Sequence, residues 1–375
     1  MNKRSSGQAN VPAGGKIRLA VLFGGRSTEH AVSCVSAEAI IKNLDSNKYD
    51  IVPVGITQEG HWLPYSGPVE LLPGDKWLPL ALSQNGLEGK LQPGSQINIG
   101  IGIRTLETCD CILPVLHGQN GEDGTVQGLF ELLDIPYVGC GIFASAAGMD
   151  KSFTKVIFNQ AGIPQARYMV SRRIKFATDP DALVKEIGAD ISYPCFVKPA
   201  NCGSSVGVSK VKAESELVPA LAAAHEYDSK VLVEEFIEGR EIECAVLGNS
   251  VSAYASAPGE IKPSKEFYDY EDKYESGKSF CVIPAEIPAE TAAKVRSLAL
   301  KAFHAIDGSG LSRVDFFLRP DGSLVLNEIN TLPGFTEISM YSKLLINDGM
   351  TYSGLLDRLI ELAFEEKALT KRCTQ

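Results

Sequence analysis

Two apolar runs in this sequence end in the same way, and they restrict what the chain can fold into more than any other feature. IRLAVLFGG (17–25) and CDCILPVLHG (109–118) are nearly uninterrupted apolar segments that finish on glycine. A strand that is apolar on successive residues is buried on both faces, the condition of a parallel sheet covered by helices. Helical patterns follow both runs, through about Leu44 and over GTVQGLFELL (124–133), and DIVPVGIT (50–57) reads as a further strand. Strands alternating with helices predict a doubly wound α/β domain, whose ligands sit outside the carboxyl ends of the strands. Glu29 and His117 stand at those ends. Residues 58–108 are rich in Gly and Pro and carry no clear assignment.

Beyond Met149 the texture changes. A helix over 149–161 leads to short strands in RYMV, PCFVKPA (194–200) and SVGVSKV, followed by a helix (215–227) and strands VLVEEFI and EIECAVLG. A long helix (289–306), a hairpin (311–329) and a terminal helix (352–366) complete an α+β part. A chain of 375 residues exceeds one ordinary core. We expect a disordered tail at 1–16 and domains at 17–138, 139–230 and 231–375, the last with a lid loop and a metal site.

Charge and cysteine usage narrow the function. With 36 Lys and Arg against 46 Asp and Glu, the net charge of −10 argues against a nucleic-acid or anionic-membrane surface. Nine cysteines without a CxxC pair support neither a zinc ribbon nor a dithiol redox site, and suggest a reducing cytosol. No apolar stretch approaches the about 20 residues of a membrane helix, and the first fifteen residues lack the apolar core of a secretory signal. The expectation is a cytoplasmic protein.

Chemistry-bearing residues gather in a few segments. In SRVDFFLRPDGSLVLNEIN (312–330), Arg319-Pro-Asp-Gly322 is a turn signal. A four-residue loop pairs Leu318 with Ser323, sets Arg313 opposite Glu328 and Asp315 opposite Leu326, and puts Arg313, Asp315, Glu328 and Asn330 on one face. A three-residue loop would send Asp315 to the other side. Three oxygen ligands beside a cation suit Mg²⁺, and a surface ion-pair ladder fits the same residues. In FVKPANCGSSVGVSKV (196–211), Lys198 precedes a loop of small residues, Gly203-Ser204-Ser205 and Gly207, whose backbone N–H groups can approach an anion. It is not a P-loop, since GxxxxGK[ST] is absent, and it also reads as an ordinary turn. Glu234, Glu235, Glu238 and Glu241 cluster around a strand end, either as partners for an adenosine or as a solvated acidic edge. KEFYDYEDKY (265–274) suits a lid or a surface loop, and His117 alone would also serve as a structural histidine.

Taken in order, these segments resemble the D-alanine–D-alanine ligases of the ATP-grasp superfamily over about residues 17–365. The motifs are FGGRSTEHAVS, HGQNGEDGTVQG, MDK, FVKPANCGSSVGVSKV, VEEFIEGREIECAVLG, YDYEDKY, SRVDFFL and NEINTLPGFT. The resemblance implies an N-terminal substrate-binding domain followed by a two-domain ATP-grasp fold. It implies that Lys151, Lys198 and the Ser205 loop contact ATP phosphates, that Glu234 and Glu241 hold the ribose and adenine side, and that Glu235, Phe236 and Ile237 form the adenine hinge. Asp315, Glu328 and Asn330 would bind two Mg²⁺, with Mn²⁺ a possible substitute. Glu29 would hold the ammonium of the first D-alanine with His117 nearby, and Ser339 and Lys273 would meet the second carboxylate. Arg313 and the Gly334 N–H would stabilise the tetrahedral oxyanion, while Glu29, Ser204 and Tyr274 tie the lid to the first domain. Tyr274 favours a dipeptide product over a D-lactate ester, and D-serine remains open as second substrate. Two positions depart from the family pattern: Ala31 in place of the usual Glu of EREVS or EHEVS, and Cys202 in place of a common polar residue. A homodimer is also implied.

Overall fold

The computed structural model of the chain describes residues 15–91, 96–262, 280–336 and 339–370. Residues 1–14 of the expected tail, and the lid segment with Lys273 and Tyr274, lie outside the described residues.

The two opening apolar runs lie side by side. β1 (Ile17–Gly24), α1 (His30–Asn43), β2 (Tyr49–Ile56), β3 (Trp62–Pro64), α2 (Leu78–Gln84), α3 (Gly100–Leu106) and β4 (Cys111–Val115) build a sheet of order β3-β2-β1-β4. Its β1 is parallel to both β2 and β4. The apolar run of β1 feeds two cores at once. Leu19, Val21 and Phe23 pack with Ala37 and Ile40 of α1, while Ala20 and Leu22 face the opposite way with Ile112, Val126 and Phe130. Burial on both faces is why no polar residue interrupts Leu19–Phe23. Within the unassigned region, Trp77 is fully buried and packs edge-on against Phe23 with ring centroids 5.0 Å apart. Gly55 is needed on β2 because a side chain there would enter the Trp77 ring.

α4 (Thr125–Leu132) leads into a correction to the helix expected over 149–161. There are two helices, α5 (Ile142–Met149) and α6 (Lys151–Gln160), broken at an extended Asp150. Asp150 caps α6 by accepting from the N–H groups of Ser152 and Phe153. β5 (Tyr168–Arg172), α7 (Arg173–Thr178), α8 (Pro180–Asp190), β6 (Cys195–Pro199), β7 (Ser209–Val211), α9 (Leu217–Tyr227) and β8 (Lys230–Glu235) follow. Their strands form an antiparallel sheet of order β5-β8-β6-β7. Since β8 is an inner strand, this layer continues past residue 230 to Glu235.

β9 (Arg240–Gly248), β10 (Ala253–Ala255), β11 (Gly259–Lys262), β12 (Phe280–Val282), α10 (Ala289–Ala305), β13 (Gly310–Leu318), β14 (Leu324–Asn330), α11 (Met340–Asn347) and α12 (Tyr352–Thr370) make the last part. The sheet order is β12-β11-β9-β13-β14, with β10 beside β9. α10 covers one face through Val295, Ala299 and Phe303. On the other face α11 and α12 share a single apolar core with β1.

The β13–β14 register differs from expectation. The connection runs over five residues, Arg319 to Ser323, with the Arg319 N–H donating to the Ser323 carbonyl at 2.9 Å. Leu318 pairs with Leu324 and Phe316 with Leu326. A bulge at Asn327 then shifts the ladder, so that Asp315 pairs with Glu328 and Arg313 with Asn330. The longer loop alone would have put Asp315 on the wrong face. The extra residue of the bulge restores it, and the expected set of four still shares one face.

Candidate active site

Three layers deliver side chains to one cleft. From the first sheet, Glu29 stands just before α1, where its N–H donates to Ser27 Oγ at 3.2 Å. Ser27 Oγ in turn donates to the His117 carbonyl at 2.6 Å, which joins the two glycine-rich strand ends. Gly118 has φ +70°, and a Cβ there would strike the Glu29 carboxylate. The Ser204 hydroxyl donates to Glu29 Oε1, so the loop after β6 meets the first domain directly. Ser204 and Ser205 hold φ of 49° and 59°, a left-handed conformation that costs a non-glycine residue about 1 kcal/mol or more. Strain held in a loop that touches a buried carboxylate is characteristic of a ligand clamp.

The floor of this pocket carries an acid that sequence reasoning missed. Glu122 accepts from the Gly118 N–H at 2.7 Å. Burial, and next the charge of Glu29, push its carboxyl up to about 8. Burial likewise lowers the His117 pKa, against the opposing pull of Glu29. The available signal was the acid inside HGQNGEDG. The folded chain keeps a proton on Glu122 between an ordinary 4.5 and about 8, where the unfolded chain has released it. Its contribution therefore makes stability fall as pH rises through that window. Urea unfolding across the window should show this slope, and Glu122→Gln should flatten it; an unchanged slope in the variant would discard the assignment.

At the cationic end of the cleft, Lys151 opens α6. Its Nζ donates to the Cys202 carbonyl at 2.9 Å and lies 3.7 Å from Glu328 Oε2. One turn later, Lys155 is buried and pairs with Glu234, whose other oxygen pairs with Lys198. Burial alone would raise the Glu234 pKa, but Lys198 and Lys155 outweigh it and hold the carboxyl below its ordinary value. Lys155 was not expected from sequence, although its spacing from Lys151 places both on one helix face. The Glu235 carboxylate turns to the Arg167 Nε at 3.0 Å and Arg319 at 3.7 Å. Phe236 packs on Phe196 at 6.1 Å between centroids. Glu241 and the buried Ile237 complete this wall.

The shared face of β13 and β14 closes the cleft. Arg313 grips Asp315 with two hydrogen bonds, Nε to Oδ1 at 2.8 Å and Nη2 to Oδ2 at 2.7 Å. Asn330 Nδ2 donates to Asp315 Oδ2 at 3.0 Å. Burial disfavours the Arg313 charge, yet Asp315 and Glu243 more than offset it and raise its pKa. Asp315, Glu328 and Asn330 thus present hard oxygen donors side by side, a donor set that fits Mg²⁺. Beyond them, Ser339 Oγ accepts from the Thr336 N–H at 2.9 Å, and a Cβ on Gly334 would lie 3.0 Å from it.

These groups line two connected spaces. One holds Glu29, His117, Glu122, Arg313, Gly334 and Ser339. The other, of about 580 Å³, holds Lys198, Ser205, Glu234, Phe236, Glu241 and Asp315. Lys151, Ser204, Arg313 and Glu328 border both. A site with cations at one end, oxygen donors in the middle and a hydrogen-bonded carboxylate at the other is arranged for transfer between two ligands.

Comparison with known families decides which transfer. Residues 18–140 match the family model described as D-ala D-ala ligase N-terminus, and residues 157–361 match D-ala D-ala ligase C-terminus. The chain belongs to the D-alanine–D-alanine ligase family. It is 50% identical over 372 residues to the D-alanine–D-alanine ligase of Ruminiclostridium cellulolyticum, covering 95% of this chain and 98% of that relative. Among solved structures it is similar to the VanG D-Ala:D-Ser ligase from Enterococcus faecalis, with TM-score 0.79, 38% identity and coverage of 93% and 99%. It is also similar to the D-alanine–D-alanine ligase from Coxiella burnetii, with TM-score 0.78, 34% identity and coverage of 95% and 96%. The three sheets are the ATP-grasp fold of this family with its N-terminal α/β domain.

Proposed function

We propose that the two spaces act as one active site, in which ATP drives the joining of two D-alanines into D-alanyl-D-alanine for peptidoglycan precursors. The carrying observation is the Ser204–Glu29 hydrogen bond, set where the amino-acid space meets the nucleotide space. The γ-phosphoryl group passes to a carboxylate oxygen of the first D-alanine and ADP leaves. The amine of the second D-alanine then attacks the acyl carbon, phosphate departs, and the nitrogen gives up its proton.

Each side chain has a task in that sequence. Glu29 holds the first ammonium, with His117 beside it, and Ser339 and Lys273 receive the second carboxylate. Lys151 and Lys198, with the Ser205 loop, bind phosphates. Glu234 and Glu241 take the ribose and adenine side, with Glu235, Phe236 and Ile237 as the hinge. Asp315, Glu328 and Asn330 would hold two Mg²⁺, or Mn²⁺ in their place, whose charge offsets that of the phosphates. Arg313 and the Gly334 N–H face the developing oxyanion, where fixed donors lower a barrier most. Tyr274 completes the set with Glu29 and Ser204.

The enzyme acts in the cytoplasm, consistent with eight free cysteines among the described residues. No described helix is long and apolar enough to cross a membrane. Exposed Leu132, Ile142 and Phe143 on α4 and α5 supply apolar surface for a homodimer. D-alanine is favoured as second substrate, because a relative 50% identical over nearly its whole length is a D-alanine–D-alanine ligase. Phosphate release that requires both ATP and D-alanine is the expected result. No D-alanine-dependent turnover would remove this reading, and faster turnover with D-serine as second substrate would replace it.

A further inference from the structure

We propose that Glu243 is a positioning residue for ligation: it retains the Arg313 guanidinium on the amino-acid side of the cleft when Asp315 turns toward phosphate-bound metal. The inference rests on the oxyanion role of Arg313 given above.

Both oxygens of Asp315 are occupied by Arg313 through Nε and Nη2. Acting as a metal ligand, Asp315 must surrender at least part of this grip. Arg313 then needs a second anchor, or its guanidinium will follow the carboxylate toward the phosphates. Glu243 is placed to serve. It lies on β9, directly paired with Asp315 in the ladder, so its side chain projects from the face that carries Arg313. Its Oε2 forms an ion pair with Arg313 Nε at 3.0 Å while the Nε–H itself is donated to Asp315, so Glu243 is the carboxylate that this N–H can turn to when Asp315 leaves. It is 7% exposed and borders both spaces, as Arg313 does. The two acids therefore divide the labour: Asp315 is free to leave and Glu243 stays.

The test uses the full-length enzyme with Glu243→Ala and Glu243→Gln. An oxyanion donor supplies about 10²–10³ in kcat, and losing its orientation should cost Glu243→Ala about tenfold or more in dipeptide formation. Positional isotope exchange within ATP in the presence of D-alanine, which reports the phosphorylation step, should stay near native, as should the KM for ATP. Glu243→Gln keeps an acceptor for Nε and should recover most of the loss. Independently of turnover, hydrogen exchange at Arg313 Nε should speed up in Glu243→Ala when Mg²⁺ and ADP are added, and remain slow in the native chain. Unchanged exchange at Nε, or an equal loss of the phosphorylation and ligation steps, would overturn the inference. Loss of the acidic limb of the pH–rate profile would also overturn it, by making Glu243 a proton acceptor. If Arg313→Ala itself leaves ligation intact, the oxyanion reading fails; if that variant is inactive while Glu243→Ala is native, this inference alone fails.

Discussion

Arg313→Ala should lose dipeptide formation by about 10²–10³-fold or more in kcat while ATP binding persists. Arg313 is the cation on the β13–β14 face, held by Asp315 and Glu243 at the junction of the two spaces. In the proposed mechanism, truncation removes the donor aimed at the tetrahedral intermediate. It also leaves two carboxylates of a nearly buried cluster without their counter-charge, so a moderate loss of stability should accompany the loss of rate. Nucleotide binding measured by calorimetry beside a dipeptide assay separates the two effects. Near-normal turnover in the variant would refute the oxyanion assignment.

Glu234→Ala should destabilise the fold by about 3–5 kcal/mol, the usual cost of removing one partner from a buried ionic cluster. Glu234 is shared by Lys155 and Lys198, with side-chain exposures of 7%, 4% and 12%. Without it, two ammonium groups face each other in a nearly dry site. Because its folded pKa is depressed, the stability Glu234 contributes is present above the unfolded carboxyl value and lost as pH falls through the folded one. Lys155→Met should cost less, since Glu234 keeps Lys198. Urea unfolding of both variants gives the comparison; a loss below about 1 kcal/mol for Glu234→Ala would show the cluster to be solvent-relaxed, as surface pairs are.

Much of the site was legible because its chemistry is carried by short segments with fixed spacing. Lys198 before the glycine–serine loop, Glu29 and His117 at strand ends, and the acid and amide of NEIN, Glu328 and Asn330, could each be placed from strand periodicity and loop composition. What escaped depends on contacts distant in sequence. The β13–β14 connection was one residue longer than its RPDG signal implied, and the compensating bulge at Asn327 carries no residue type that announces it. Leu63, Tyr65, Leu72 and Ala81 share a core with Trp77, whose neighbours Phe23 and Gly55 belong to the central strands. Asp150 looked like one polar residue within a helix but serves as the cap that starts a new one. Lys155 and Glu122 were passed over because only burial makes them unusual.

The packing of α12 bears on synthesis as well as stability. Leu19, Val21 and Phe23 of the first strand share one apolar core with Leu355, Leu359 and Phe364 of the last helix. Chains emerge from the ribosome amino end first, so one face of the earliest strand waits for residues made more than three hundred positions later. Until then its apolar surface has only α1 and its neighbours for cover. That face of the amino-terminal domain is therefore completed only once α12 has been made, and a chain cut short before α12 leaves part of the apolar face of β1 uncovered.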